Sequence, residues 1–352
     1  MPKNPGYALR ALHNSTPLNS RMIDATKLVR TGSLTEATAL IQGRDGGSLP
    51  QSATSASRKV RQALRSPAAT SRAEDQGVLP GTVQTSLHRG PAGERPYRLY
   101  LPSVSTASAP PLVVMLHGGT QDGATFARST GMDAVAERHR LLVAYPEQVT
   151  SANPMRYWNW FSDQERTSGE PAIIASLIAE LVRTHGADPR RVYVAGFSAG
   201  AAMAAVFAST HPDVVAAVGI HSGLAAGAAR DVSSAFTAMR SPGPARPLPR
   251  PVPAITFHGD ADPTVNIANS VRLADQFGLG TRPQTERGGT AGGRSYTVSR
   301  HHTDHNEIAL EQWVIHGMAH GWSGGSAGSS YTDPAGPDAS AELVRFFLTH
   351  QR

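Results

Sequence analysis

Nine residues constrain this chain more than any others: Val192-Tyr193-Val194-Ala195-Gly196-Phe197-Ser198-Ala199-Gly200. Four apolar residues, rich in β-branched and aromatic side chains, run into Gly-x-Ser-x-Gly. An alanine-rich helical run, residues 201–210, follows at once. The pattern is strand, sharp turn, helix, with a serine at the apex. Such a turn is strained, and small residues are needed two before and two after the serine. The turn lifts the Ser198 hydroxyl above the sheet. It also aims the Ala199 N–H, at a helix N-terminus, at whatever the serine attacks. Ser198 is a candidate nucleophile; an ordinary tight turn is the plain alternative.

The rest of the chain alternates in the same way. Residues 82–87 and 97–101 read as paired strands. Residues 112–116 and 141–146 are continuous apolar runs, as strands buried on both faces require. A helix is predicted over 124–139 between them. An aromatic loop covers 156–164. A second helix covers 170–184, with Ile174, Leu177, Ile178 and Leu181 on one face. After the Ser198 turn come a strand (214–220), a helix (231–239), a proline-laden loop (241–253), a strand (254–257) and a helix (266–277). Residues 278–293 read as loop. Residues 296–301 and 308–315 read as paired strands, and 339–348 as a terminal helix. Buried strands alternating with amphipathic helices predict an α/β fold, a mostly parallel doubly wound sheet with helices on both faces.

The body begins near residue 82. Residues 1–42 read as a short helical extension, with two helices in 22–42 and a capping box at Ser33 and Glu36. Residues 43–81 are rich in Ser, Ala, Gly, Arg and Pro and read as a flexible linker, with a short helix near 59–64. Residues 82–352 form the candidate catalytic domain. Residues 1–75 hold eleven Lys/Arg and five Asp/Glu, and 33 − 11 = 22 basic groups then balance 27 − 5 = 22 acidic groups in the remainder. The basic character belongs to the extension, so an anionic surface or polymer granule is a candidate partner for it. No specific nucleic-acid partner is indicated. There is no cysteine. That excludes disulfides and thiolate chemistry and fits a reducing compartment. The first twenty residues lack the apolar core of a secretory signal, and no run of about 18 apolar residues predicts a membrane span. Cytoplasmic location is the expectation.

A serine hydroxyl needs a base to take its proton, a carboxylate to fix the base's tautomer, and donors for the oxyanion. Each is offered at the end of a predicted strand. His320, flanked by Gly317 and Gly321, is the candidate base, with His316 the runner-up; His301, His302 and His305 fall on a polar hairpin and are expected to be exposed. Asp262 is preferred to Asp260 as the acid, because it lies deeper in the loop before Pro263. His258 is expected to hold that loop. His117-Gly118-Gly119 follows a buried strand, which makes Gly119 and Ala199 the candidate oxyanion donors, with Thr120 beside them. Trp158, Asn159, Trp160 and Trp322 are candidate substrate-binding residues, since aromatic walls suit an apolar ester. The chemistry calls for no cofactor and no metal.

Five blocks in this order carry a resemblance: Leu116-His117-Gly118-Gly119-Thr120-Gln121, Trp158-Asn159-Trp160-Phe161, Gly196–Gly200, His258-Gly259-Asp260-Ala261-Asp262 and Gly317-Met318-Ala319-His320-Gly321-Trp322. The body resembles the polyhydroxybutyrate depolymerase family of esterases, α/β-hydrolases that include feruloyl and acetylxylan esterase-like members. The resemblance implies a serine esterase with Ser198, Asp262 and His320 as its triad and Gly119 and Ala199 as oxyanion donors. It implies hydroxyalkanoate esters or polyester oligomers as substrates. A feruloyl or acetylxylan-type esterase, or a non-catalytic granule-associated protein on the same scaffold, are the competing readings. The chain departs from the family at two positions. Many relatives carry cysteine where Gly119 stands and another where Tyr157 stands.

Overall fold

The computed structural model describes residues 79–104, 108–278, 282–291 and 293–352. The two helices expected in 22–42, the capping box at Ser33 and the linker up to residue 78 lie outside the described residues. Within them the strands are β1 (Thr82–Gly90), β2 (Gly93–Leu101), β3 (Leu112–Leu116), β4 (Leu142–Pro146), β5 (Val192–Phe197), β6 (Ala217–His221), β7 (Ala254–Gly259), β8 (Gln284–Gly289), β9 (Ser295–His302), β10 (Ile308–Ile315), β11 (Trp322–Ser323) and β12 (Thr332–Asp333). The helices are α1 (Gly123–Thr130), α2 (Met132–His139), α3 (Gly169–His185), α4 (Ala199–Thr210), α5 (Val232–Arg240), α6 (Ala268–Phe277) and α7 (Ala339–Phe347).

Ten strands form one sheet in the order β1-β2-β4-β3-β5-β6-β7-β10-β9-β8. The six from β4 to β10 are mutually parallel, and an antiparallel hairpin closes each edge. The parallel strands are apolar runs because both of their faces are covered. Within β3 the side chains alternate: Leu112, Val114 and Leu116 enter one core, Val113 and Met115 the other. The first core is completed by α3, α4, α5 and α6, through residues such as Ile174, Leu177, Ala204, Ala235 and Phe277. The second is completed by α1, α2 and α7, where Phe347 stacks on Tyr193 of β5 with centroids 4.7 Å apart. This is the doubly wound α/β-hydrolase architecture.

Chain order reverses between β3 and β5. From β3 the next strand, β4, lies on one side, and β5 lies on the other. Loops leaving the C-terminal ends of strands diverge at such a point and open a crevice there. The two loops that diverge are His117-Gly118-Gly119 and the Ser198 turn.

Three elements differ from expectation. The single helix predicted over 124–139 is two helices, broken at Gly131, whose φ of 64° ends one helix and starts the next. The apolar run at 214–216 is a turn leading into the sheet, so β6 begins at Ala217. Residues 284–289, expected as loop, pair with β9 as an exposed edge strand of Gln, Thr, Glu, Arg and Gly, a composition with no buried face to read.

Candidate active site

Ser198 sits between β5 and α4 at φ 53° and ψ −117°. That conformation costs an L-residue about 1–3 kcal/mol and persists only where the surroundings impose it. Two contacts do so. The Ser198 N–H donates to His221 O at the end of β6, 2.9 Å away. Gly200 passes so close to β3 that a Cβ there would lie 2.1 Å from Leu116 O. The Ser198 hydroxyl itself has no hydrogen-bond partner among the described residues. Ala199, the first residue of α4, has an N–H with no acceptor inside the helix.

The predicted acid and base meet. His320 Nδ1 lies 2.7 Å from Asp262 Oδ2, and both side chains are nearly or fully buried. Asp262 Oδ1 accepts from the N–H groups of Thr264 and Val265 at 2.8 and 2.9 Å. Burial pushes the Asp262 carboxyl up, but the hydrogen bond and charge of His320 and the Val265 N–H outweigh it and hold the group below the usual range. With Nδ1–H donated to Asp262, His320 Nε2 is left as an acceptor. The His320 ring lies on Phe197, the residue before Ser198, with centroids 4.8 Å apart. Phe197 also touches the rings of His221, Trp322 and Tyr331. The variable residue of the Gly-x-Ser-x-Gly turn is therefore the aromatic hub of the site.

The two runners-up meet each other instead. Asp260 Oδ2 lies 2.8 Å from His316 Nδ1, and Asp260 Oδ1 accepts from the Gly317 N–H at 2.6 Å. The register explains the pairing, because Gly259 faces Ile315 across β7 and β10 and the next residues follow in step. This pair is nearly 40% exposed on both sides. His258 holds its loop through Val265 O at 2.8 Å, as expected. His301, expected exposed, is buried on β9.

On the oxyanion side, the N–H groups of the loop are sorted by their partners. The Gly118 N–H donates to Gln121 Oε1 at 2.9 Å and the Thr120 N–H to Met155 O at 2.9 Å. The Gly119 N–H has no acceptor among the described residues. His117 is structural: its Nε2 accepts from the Gln148 N–H at 3.0 Å, and its Nδ1 donates to Gly118 O at 2.8 Å. Burial holds it neutral, with a pKa lowered to about 4.

The residues expected to line the substrate are mostly enclosed. Trp158 is fully buried, and its indole N–H donates to His117 O at 3.1 Å. Trp160 is buried beside Phe161. Trp322 is buried and donates to Ser340 Oγ at 3.1 Å. The Asn159 amide is engaged by Glu170 and Asn153. Trp158, Asn159 and Trp322 spend their polar groups on the protein itself. Of the named binding residues only Thr120 is exposed, at φ 67°. The aromatic residues at the mouth are ones the sequence reading passed over. Tyr157 covers Gly119 so closely that a Cβ there would sit 2.3 Å from its ring. Tyr331, 37% exposed, approaches Phe197 at 6.4 Å between centroids. Gly119 and Tyr157, the two departures from the family, are thus one contact.

The described residues contain no group of His, Asp and Glu arranged to hold a metal ion. None of the described helices is long and apolar enough to cross a membrane.

The fold and the Ser198 turn define an α/β-hydrolase. Residues 95–282 match the family model "Esterase PHB depolymerase", more than half of the chain, and the chain belongs to that family. That segment contains Ser198 and Asp262; His320 lies beyond it. The chain is similar to poly(3-hydroxyalkanoate) depolymerase C of Paucimonas lemoignei, 34% identical over 265 residues, covering 70% of this chain and 60% of the relative. It is similar to acetylxylan esterase A of Aspergillus ficuum, 32% identical over 152 residues, 42% of this chain and 48% of the relative. The chain therefore spans half to three-fifths of the length of these relatives. Among solved structures, the acetyl xylan esterase from Aspergillus awamori shares the fold, with a TM-score of 0.60 at 20% identity over 76% of this chain and 99% of that one.

Proposed function

We propose that the chain is a carboxylic-ester hydrolase acting through an acyl-enzyme. Ser198 Oγ attacks the ester carbonyl carbon while His320 Nε2 takes its proton. Asp262 fixes the His320 tautomer and stabilises the imidazolium. The N–H groups of Gly119 and Ala199 receive the oxyanion. Collapse breaks the ester bond, and the leaving alcohol takes its proton from His320. Water, deprotonated by the same ring, then attacks the acyl carbon and frees Ser198 and the acid.

The observation that carries this reading is the buried Asp262–His320 pair, 2.7 Å apart, seated on the residue next to a strained serine. The substrate class is hydroxyalkanoate polyester or its oligomers, supported by the similarity across 70% of the chain to a poly(3-hydroxyalkanoate) depolymerase. The basic residues before the body fit an anionic granule surface, and a cysteine-free chain fits a reducing compartment such as the cytoplasm. The test is a fluorophosphonate probe together with a panel of hydroxybutyrate trimer, methyl ferulate and acetylated xylan. Wild type is expected to label and to hydrolyse the trimer with the highest kcat/KM, and Ser198→Ala to do neither. Turnover retained by Ser198→Ala would overturn the mechanism. Faster hydrolysis of acetylated xylan would replace the substrate class.

A further inference from the structure

We infer that Glu170 is the positioning residue of the oxyanion loop: one buried carboxylate at the start of α3 fixes the two segments on which the Gly119 N–H depends. The inference rests on the ester-hydrolase reading above. Glu170 is almost completely buried. Its Oε2 accepts from the Asn159 N–H at 2.7 Å, and its Oε1 accepts from Asn159 Nδ2 at 2.9 Å and from Gln148 Nε2. The Gln148 side chain also donates to Tyr157 O at 2.9 Å. The same residue's backbone N–H donates to His117 Nε2. From there two routes reach the loop. His117 Nδ1 holds Gly118 O, and the Tyr157 ring lies against Gly119.

Three donors converge on one carboxylate, which holds them most strongly when ionised, since protonation weakens its oxygens as acceptors and makes one of them a donor facing donors. The charged groups facing it are Arg95 of β2, at 3.6 Å, and Asp163 of the aromatic loop, whose carboxylate accepts from the Glu170 N–H; His117 stands beyond Gln148. Burial raises the Glu170 pKa to about 7, against the pull of Gln148, Asn159 and Arg95. Ionisation near neutrality then assembles the loop, and protonation releases one of its ties.

Glu170→Gln keeps the volume but points an amide N–H at a donor. With p-nitrophenyl butyrate, kcat is expected to fall by about 10²-fold, the scale of a 1 Å misplacement of catalytic groups. KM should change little, because the N–H acts on the transition state. Below pH 7 log kcat should fall more steeply with pH in wild type than in Glu170→Gln, by the slope of one proton, because the variant has no carboxyl there to protonate. Gln148→Leu cuts the same link without touching the carboxylate and should lower kcat in the same direction, so it serves if Glu170→Gln does not fold. A folded Glu170→Gln with wild-type kcat and slope, or a folded Gln148→Leu with wild-type kcat, overturns the inference. Ser198→Ala run alongside separates the cases, since turnover in that variant overturns the hydrolase reading itself.

Discussion

Two of the described serines invite comparison, each near a histidine that a carboxylate holds, and the better aligned of the two is not the proposed nucleophile. On the edge of the sheet, Ser176 Oγ lies 2.7 Å from His88 Nε2, and His88 Nδ1 lies 2.6 Å from Glu180 Oε2. The Ser198 hydroxyl makes no hydrogen bond among the described residues, although its neighbour carries the ring that Asp262 holds. Side-chain alignment alone would choose Ser176. The backbone chooses otherwise. Ser176 lies in the middle of α3, its N–H is part of the helix ladder, and its hydroxyl also donates to Ile173 O at 2.9 Å. Gly90 passes over it so tightly that a Cβ there would be 2.6 Å from Ser176 Oγ. An electrophile has no room to approach, and no spare N–H awaits an oxyanion. Beside Ser198 the Gly119 and Ala199 N–H groups have no acceptor among the described residues. The edge group is a latch between β1 and α3, and a polarised hydroxyl without oxyanion donors is only a hydrogen bond.

Substitutions at these residues test the contrast. The largest effect is expected at Ser198: alanine there should lower kcat by about 10⁶-fold, as loss of a triad nucleophile does elsewhere, and abolish fluorophosphonate labelling. Ser176→Ala should label and turn over as wild type, and peptide mapping that found the probe on Ser176 would invert the comparison. Next comes Asp262→Asn, expected to lower kcat by about 10⁴-fold through the wrong His320 tautomer. Its counterpart on the latch, Glu180→Ala, leaves the buried His88 N–H unpaired. Chemical denaturation should show a loss of about 1–3 kcal/mol with kcat unchanged. The smallest effect is expected at Asp260→Asn, whose half-exposed pairing with His316 is worth below about 1 kcal/mol, or a factor of about five in rate if all of it were felt at the site. A large loss there with a mild one at Asp262 would exchange the roles of the two carboxylates.

The fold was legible because its signals are local. The runs at Leu112–Leu116 and Val192–Phe197 are strands at the predicted positions, and the loops that end them meet at the reversal of strand order. The Asp262–His320 pairing was legible from chain order, since both residues follow neighbouring parallel strands. What escaped was which face of a loop residue is wet. Trp158 and Asn159 look like binding residues in a sequence, yet their partners, His117 O and Glu170, lie 41 and 11 residues away. Tyr157 looks like one more aromatic residue until Gly119 is placed beneath it. The latch at His88 joins residues 88 and 92 positions apart, which no local pattern announces.

The contact between Gly119 and Tyr157 also limits the order in which this sequence could have changed. A side chain arriving at position 119 would place its first carbon 2.3 Å from the Tyr157 ring, so the ring would have to move. Tyr157 is only partly buried, so removing the ring first costs less than the roughly 3–5 kcal/mol of a fully buried aromatic residue. Loss of the ring before gain of a side chain is the open order, and a side chain grafted at position 119 alone is expected to lower stability in chemical denaturation unless Tyr157 moves.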